Sequence, residues 1–350
     1  MTRATIADVA ARAGVTKSTV SHALSGKRPV ATGTRLRIKQ AIADLGYYPN
    51  PIAQRLAAGR SLTIGFVYPL YAPQIAGYEM RLISAAANAV SQAGYAFVLL
   101  TQPDREGAAL DQFFCSGLLD GVIVMQVRGY DPRIEALKAA RLPFVLIGRT
   151  ADNTGLAYVD IDIIAAMTRC VTYFAELGHR RIACLHQDDP EFGFGARMLV
   201  GYRAACAAHG LSAIMLPCGL STEGGRQAMA ALLHDHPETT GVIVWNDLAA
   251  WGANQAALAA GRRVPADLSI ICFDQSNISN LVPFHPTVVD VRPEEMSRRA
   301  AEMLLAILAG ETEGAGILLS PGFTEGESSG AAPEPIGSCT GMAAVRAGGA

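Results

Sequence analysis

The sequence predicts a small all-α domain followed by an α/β body of two lobes, each built on a parallel sheet. Three observations support this fold class. Short helical patterns punctuated by glycine fill the first sixty residues, apolar strand-like runs alternate with helical runs from residue 62 onward, and that alternation restarts near residue 164. A chain of 350 residues is also long enough for two or three domains.

The first sixty residues differ in charge from everything that follows. They contain ten basic and two acidic side chains, a net charge of +8, whereas the remainder contains nineteen basic and twenty-nine acidic side chains, a net charge of −10. A basic module on an acidic body indicates a polyanionic partner for the first sixty residues alone.

Two short helices joined by a glycine turn are predicted at the start of the chain. The first covers residues 6–13 after a Thr5 cap, and Gly14 ends it because glycine tolerates a positive φ. Thr16 then caps a second helix over 17–24. This is the helix-turn-helix arrangement, whose second helix enters the major groove of DNA.

The outward side chains of this unit suit base edges and phosphates. Lys17 can donate to guanine, Ser18 and His22 can donate or accept, and hydroxyls near a helix start suit phosphate oxygens. A third helix is predicted over 32–45, with Thr34 near its start. The DNA contacts expected from these three helices are Thr5, Thr16, Lys17, Ser18, Thr19, Ser21, His22 and Thr34.

A fourth helical segment is predicted after the third helix has stopped at Gly46. Asn50 can cap it and Pro51 occupies the favoured first position, which places the segment at 51–58. The segment is too short to hold a core of its own and lies at the domain boundary.

The body alternates apolar strands with helices. Strands are predicted at 62–68, 95–100, 119–125, 142–147, 181–185, 241–245 and 268–273, and helices at 80–93, 164–177, 201–209, 249–260 and 294–308. Continuously apolar strands separated by helices indicate parallel sheets covered on both faces, with ligands bound outside the carboxyl ends of the strands.

The motifs of the first sixty residues resemble the headpiece of the lactose-repressor (LacI/GalR) family. The residues that carry the resemblance are Thr5-Ile6-Ala7-Asp8-Val9-Ala10, Gly14-Val15-Thr16, Thr19-Val20-Ser21, Leu45-Gly46-Tyr47, Pro49-Asn50, Ala53 and Leu56. The resemblance implies that 51–58 is a hinge helix that folds on the operator and pairs with its dimer mate. It also implies DNA contacts by Asn50, Arg55 and Leu56, with Leu56 wedged into the minor groove.

The resemblance continues more loosely through the body, at Glu176-Leu177-Gly178-His179, Gly201-Tyr202-Arg203, Asn246-Asp247 and Phe273-Asp274. It implies a periplasmic-binding-protein fold in which the chain crosses between the lobes three times. The expected domains are a headpiece (1–49), a hinge and linker (50–61), an effector-binding and dimerisation domain (62–326) and a disordered tail (327–350). The lobes are expected at about 62–160 with 291–326, and at about 161–290.

Effector contacts are expected at strand ends that face the cleft. The resemblance implies Asn246 and Asp274, and it adds Asp162 with less weight because Ile163 replaces the family's usual asparagine. Arg197 stands one position from the family's ligand arginine, a place that holds Met198. The indole of Trp245 can stack on a sugar, and Tyr71 and Tyr78 lie in a loop that lines such pockets. Asp247 is expected to cap the following helix instead.

These observations predict a cytoplasmic transcriptional regulator that is not an enzyme. We expect a homodimeric repressor that binds a palindromic operator and responds to a small effector, with a carbohydrate as the first candidate. A corepressor-type or activating regulator that responds to a nucleobase or another metabolite is the alternative. An α/β enzyme is disfavoured because no glycine-rich phosphate turn follows a strand, and a periplasmic sugar receptor because of the basic headpiece. No cofactor or metal is expected, since the seven cysteines are scattered singly.

Overall fold

The computed structural model describes residues 4–25, 28–47, 61–69, 77–102, 108–187, 193–274 and 283–334. Within these ranges the chain forms an all-α headpiece and two sheets of six strands each, flanked by helices. The expected fold class, a helical headpiece before an α/β body of two lobes, is confirmed.

The headpiece consists of three helices: α1 (Ile6–Ala13), α2 (Lys17–Ser25) and α3 (Thr32–Leu45). Gly14 and Gly46 end the first and third in the left-handed conformation, which is the backbone state that glycine adopts at little cost. The helices bury one small apolar core made of Val9, Ala10, Ala13, Val20, Ile38 and Ala41.

The first lobe is built on a wholly parallel sheet with the strand order β11-β5-β4-β3-β1-β2. Its strands are β1 (Thr63–Val67), β2 (Ala96–Leu100), β3 (Gly121–Val124), β4 (Phe144–Ile147), β5 (Tyr158–Ile161) and β11 (Gly316–Leu319). Its helices are α4 (Gly77–Gln92), α5 (Ala108–Cys115), α6 (Pro132–Ala139) and α11 (Pro293–Ala309), the last packed against α4.

The second lobe repeats this plan with the strand order β12-β10-β9-β8-β6-β7, in which β12 alone is antiparallel. Its strands are β6 (Ile182–Gln187), β7 (Ile214–Cys218), β8 (Gly241–Val244), β9 (Ser269–Asp274), β10 (Thr287–Asp290) and β12 (Gly322–Thr324). Its helices are α7 (Ile163–Glu176), α8 (Gly193–Ala208), α9 (Thr222–Asp235) and α10 (Asp247–Ala259).

The C-terminal part of the described chain differs from the sequence expectation. Residues 322–324 belong to the second sheet and not to the first lobe, and residues 327–334 are ordered against the second lobe. Ser328 is buried and accepts from the Thr287 amide at 2.9 Å, and the Gly330 carbonyl lies 3.0 Å from His179 Nε2. These hydrogen bonds satisfy polar groups at the sheet margin, so the expected disorder does not begin at 327.

The described cysteines are buried with one exception. Five of the six described cysteines are buried thiols in the second lobe, and Cys115 is exposed at the end of α5. Among the helices described, none is both long and apolar enough to cross a membrane.

Candidate functional site

The start of α2 is held by hydroxyl groups. Thr16 Oγ1 accepts from the Thr19 amide at 3.2 Å and lies within 2.9 Å of both the Ser18 and the Thr19 hydroxyl oxygens. The expected Thr16 cap is therefore present. This start carries the partial positive charge of a helix N-terminus and places Lys17 and Ser18 on the exposed surface beside it.

Both acidic side chains of the headpiece accept hydrogen bonds from neighbouring residues of the headpiece. Asp8 closes a capping box with Thr5, whose amide donates to the Asp8 carboxylate at 2.8 Å; this backbone bond is the main reason that the pKa of Asp8 is lowered. Asp44 accepts from Gln40 at 2.8 Å and from Arg12 at 3.2 Å, and those bonds, the first above all, lower its pKa. Asp8 is therefore held in the capping box of α1, and Asp44 is paired with the basic side chain of Arg12.

The predicted DNA-contacting residues that the structure describes differ in their solvent exposure. Thr5, Thr16, Lys17 and Ser18 are exposed, whereas Thr19, Ser21, His22 and Thr34 are half-buried. The Thr5 hydroxyl is part of the capping box and donates to the Asp8 carboxylate at 2.7 Å. Asn50, Arg55, Leu56 and the whole expected hinge helix lie outside the described residues, so their roles stay predictions.

A cleft separates the carboxyl ends of the strands in the two lobes. It encloses a cavity of about 160 Å³ within the described residues. Its wall is made from both lobes, by Tyr78, Glu79, Leu82, Met125, Gln126, Val127, Ile147, Gly148, Asp160, Ile161, Gln187, Phe194, Arg197, Leu220, Trp245 and Met296. This is the place where sheets of this type bind ligands.

Asp160, which sequence reasoning missed, is the centre of the polar wall. It lies in β5, one residue before the strand ends at Ile161, and is only 4% exposed. Its Oδ2 accepts from Arg197 Nη2 at 2.8 Å and from Arg149 Nε at 2.9 Å, and its Oδ1 accepts from the Ile161 amide at 2.9 Å. Burial is the main reason that the pKa of Arg197 is lowered, and the Asp160 charge opposes that shift. Asp160 lies two residues before the expected Asp162, and a single carboxylate within an otherwise apolar strand is the signal that could have identified it.

Gln126 is a second wall residue that the sequence reading missed. It follows β3 with a φ of 54°, a left-handed conformation that is costly for a side chain with a Cβ. Arg133 fixes this turn, because its Nη2 donates to the Gln126 carbonyl at 3.0 Å and to Asp131 at 2.6 Å. Gln126 Oε1 is buried and has no hydrogen-bond partner among the described residues. It is therefore available to a donor from a ligand.

The expected effector residues separate into three groups. Tyr78, Arg197 and Trp245 line the cavity. Trp245 is buried, and its indole Nε1 donates to the Cys218 carbonyl at 2.8 Å, which fixes the ring in the wall. Burial raises the pKa of Tyr78 well above its ordinary value, with the Glu79 charge adding to the effect, so the phenol stays neutral.

Asn246 and Asp162 are helix caps. Asn246 Oδ1 accepts from the Ala249 amide at 2.8 Å and caps α10, so the capping role expected of Asp247 belongs to its neighbour. Asp162 caps α7 by accepting from the Ala165 amide at 3.0 Å. The buried Asn246 Nδ2 has no partner within the described chain. It could still donate to a ligand.

The remaining effector candidates are only partly described. Tyr71 lies outside the described residues, and of Asp274 only the backbone, as the last residue of β9, is described. The sequence left open whether Arg197 or Met198 lies at the effector pocket. In the structure Met198 is fully buried in the apolar core, and Arg197 lines the cavity.

Comparison with known proteins places these two sites in one family. Residues 5–50 match the model of bacterial regulatory proteins of the lacI family, and residues 171–329 match the periplasmic binding protein-like domain. The HTH-type transcriptional regulator CelR of Thermobifida fusca is 31% identical over 326 residues, which cover 89% of this chain and 93% of that protein. The chain belongs to the LacI family. It is a DNA-binding transcriptional regulator.

Other members of the LacI family are similar over nearly the same span. The transcriptional repressor CytR of Escherichia coli K12 is 29% identical, over 90% of this chain and 93% of that protein. A solved complex of the transcriptional regulator CelR with cellobiose matches with a TM-score of 0.72 and 30% identity, covering 93% of this chain and all of that one. A lac repressor dimer on its operator matches with a TM-score of 0.83 at 23% identity, which supports the fold. These relatives are regulators and not enzymes.

Proposed function

We propose that this LacI-family regulator is a sugar-responsive repressor that acts in the bacterial cytoplasm, where its operator lies. The observation that carries the proposal is the cavity between the lobes. One wall holds the fixed indole of Trp245, and the others present Arg197, Gln126 and Asp160. An aromatic face with converging donors and acceptors suits the apolar face and the hydroxyls of a sugar.

The DNA-reading half of the proposal rests on α2. Its start is exposed, rich in hydroxyls and next to Lys17, within a headpiece whose carboxylates are already engaged. Base readout by Lys17, Ser18 and His22 and phosphate contacts by Thr16 follow the geometry of other helix-turn-helix proteins. Two such headpieces in a homodimer would read the halves of a palindromic operator, and Leu56 would wedge its centre.

The effector half of the proposal is a β-linked glucoside or a related oligosaccharide. CelR, whose solved complex contains cellobiose, is 30% identical to this chain over 93% of its length. The cavity supports a neutral ligand, because its charged wall residues Arg197, Asp160 and Glu79, together with Arg149 behind Asp160, balance in charge. Cellobiose is therefore the first probe to use.

The test combines DNA protection with ligand titration on the purified full-length protein. Footprinting on the promoter of the adjacent operon should show one palindromic protected site, and Lys17→Ala should lose it. Cellobiose, other sugars and nucleobases are then titrated, and protection of the DNA should change when a sugar is added. If no site is protected with any of these ligands, the proposal that the protein regulates that operon is wrong. If only nucleobases change the protection, the effector belongs to the alternative class and not to the sugars.

A further inference from the structure

One carboxylate connects the two lobes across the cleft. Asp160 belongs to β5 of the first lobe, and Arg197 belongs to α8 of the second. The distance from Arg197 Nη2 to Asp160 Oδ2 is 2.8 Å, and the side chain of Asp160 is 5% exposed against 17% for Arg197. A charged hydrogen bond of this length between a buried carboxylate and a half-buried guanidinium is among the stronger polar contacts in proteins.

The start of α8 makes two further contacts with the first lobe at the same place. Arg197 Nη1 donates to the Arg149 carbonyl at 3.1 Å, and the Gly193 amide donates to the Val127 carbonyl at 3.3 Å. A Cβ on Gly193 would lie 2.6 Å from that Arg149 carbonyl oxygen, so the approach requires glycine. All three contacts join protein groups of one lobe directly to those of the other.

The charge arrangement allows the joined state to open without a large penalty. If the lobes part, Arg197 loses its carboxylate but gains water, whereas Asp160 keeps its bond to Arg149 at 2.9 Å. Opening therefore leaves no buried charge uncompensated, and the pair can break without unfolding either lobe. Such a contact is suited to a reversible closure.

The pair is also part of the cavity wall. Both Asp160 and Arg197 line the cavity, and Arg197 Nε is buried with no acceptor among the described residues. A buried guanidinium N–H that lacks an acceptor is costly, and a ligand hydroxyl oxygen would supply one. Ligand binding and lobe closure therefore use two neighbouring nitrogens of the same guanidinium, Nε and Nη2.

We propose that the Asp160–Arg197 pair is an interlobe clasp. It holds the two lobes closed, and the effector binds this closed form and completes the hydrogen bonding of Arg197 through Nε. The identity of the effector rests on the proposed function, but the closure by the clasp does not. Arg197 in this arrangement both contacts the effector and positions the two lobes, and its positioning role is measured in the absence of effector.

The clasp sets the apparent affinity for the effector. When only a fraction of molecules is closed, the apparent Kd rises in inverse proportion to that fraction. Loss of the clasp is expected to weaken effector binding by a factor within the usual range of coupled sites, about 5–150-fold. Gln126 of the first lobe and Trp245 of the second can contact one effector together only in the closed form.

The experiment reads closure from Trp245 without any effector. The chain has two tryptophans, so Trp251→Phe leaves Trp245, which is 6% exposed in the cavity wall, as the single fluorophore. In this background Arg197→Met and Asp160→Asn should each increase acrylamide quenching of Trp245. Arg197→Met is the safer variant for folding, because it leaves Asp160 paired with Arg149. Arg263→Gln, which removes an exposed arginine of the second lobe, should leave the quenching unchanged.

Unchanged quenching in both clasp variants, with native circular dichroism, would overturn the clasp. Cellobiose titrated into the same proteins measures the coupling: wild-type and Arg263→Gln should bind alike, and Arg197→Met more weakly. If wild-type protein does not bind cellobiose while the clasp variants still expose Trp245, the proposed sugar is wrong and the clasp stands. If all the proteins bind cellobiose equally, the clasp does not control the site.

Discussion

Gly193→Ala tests the close approach of the lobes by a steric change at one backbone position. An added Cβ would lie 2.6 Å from the Arg149 carbonyl oxygen and 2.6 Å from Arg197 Nη1, whereas ordinary contact begins at 3.4 Å. The start of α8 must therefore retreat from the first lobe by about 0.8 Å, the shortfall between those two distances. This shift would stretch the bond from the Gly193 amide to the Val127 carbonyl, already 3.3 Å long, beyond hydrogen-bond range.

The expected cost of this change is moderate. Overpacking of a close contact costs about 1–3 kcal/mol, and the lost hydrogen bond adds about 1 kcal/mol. Because the strain exists only in the closed form, most of this free energy should appear as opening of the cleft. Effector affinity should consequently fall by about tenfold or more, and acrylamide quenching of Trp245 in the Trp251→Phe background should increase.

Gly129→Ala is the matched control, since a Cβ at that first-lobe loop position has no atom within 4 Å. Calorimetric titration of the sugar and fluorescence quenching should give wild-type values for this variant. Wild-type affinity and wild-type quenching in Gly193→Ala would refute the argument, because a closed cleft cannot accommodate the added methyl group without moving.

Three further predictions address stability, the effector pocket and DNA binding. Burial lowers the pKa of His179 below its ordinary 6.5, a shift that its bond to the Gly330 carbonyl opposes. The stability that the neutral imidazole contributes is therefore present above pH 6.5, and below that pH it should fall by at most about 1.4 kcal/mol per pH unit. Urea unfolding should show that the free energy of unfolding of His179→Gln depends less on pH than that of the wild type. The same pH dependence in both proteins would contradict this role of His179. Asn246→Ala should destabilise the body by about 1 kcal/mol through loss of the α10 cap, which thermal unfolding measures. Asn246→Asp should keep the cap and weaken sugar binding through loss of Nδ2. Full sugar affinity of the aspartate variant in a titration would show that Asn246 does not bind the effector. Lys17→Ala should weaken operator binding by about 1–3 kcal/mol with sugar affinity unchanged; gel-shift titration tests this, and unaltered operator affinity would exclude Lys17 from base readout.

Local signals were sufficient for the headpiece. The predicted helix over 32–45 coincides with α3, and α1 coincides with 6–13, because caps, apolar spacing and terminal glycines all act within a few residues of one another. The predicted body strands mostly fall within two residues of the observed ones for a similar reason: buried parallel strands are continuous apolar runs.

Elements with weak local signals were missed. Helix α9 contains Gly224 and Gly225, which disfavour helix when taken alone. In the fold, a Cβ on Gly225 would collide with the Ala249 backbone of α10, so the glycine is required by helix packing. Strand β7 includes Pro217, which an edge strand tolerates because one side of its backbone needs no ladder partner.

The sequence by itself determined that a basic helix-turn-helix unit precedes two α/β lobes and that a ligand cleft lies at the strand ends. Only the tertiary structure decided which side chains share that cleft. Asp160, Gln126 and Arg197 come from strand ends and a helix that are distant in sequence, and their meeting depends on how the lobes close. Asn246 is likewise a helix cap, because the Ala249 amide at the start of α10 has no partner within the helix and donates to the Asn246 side-chain oxygen.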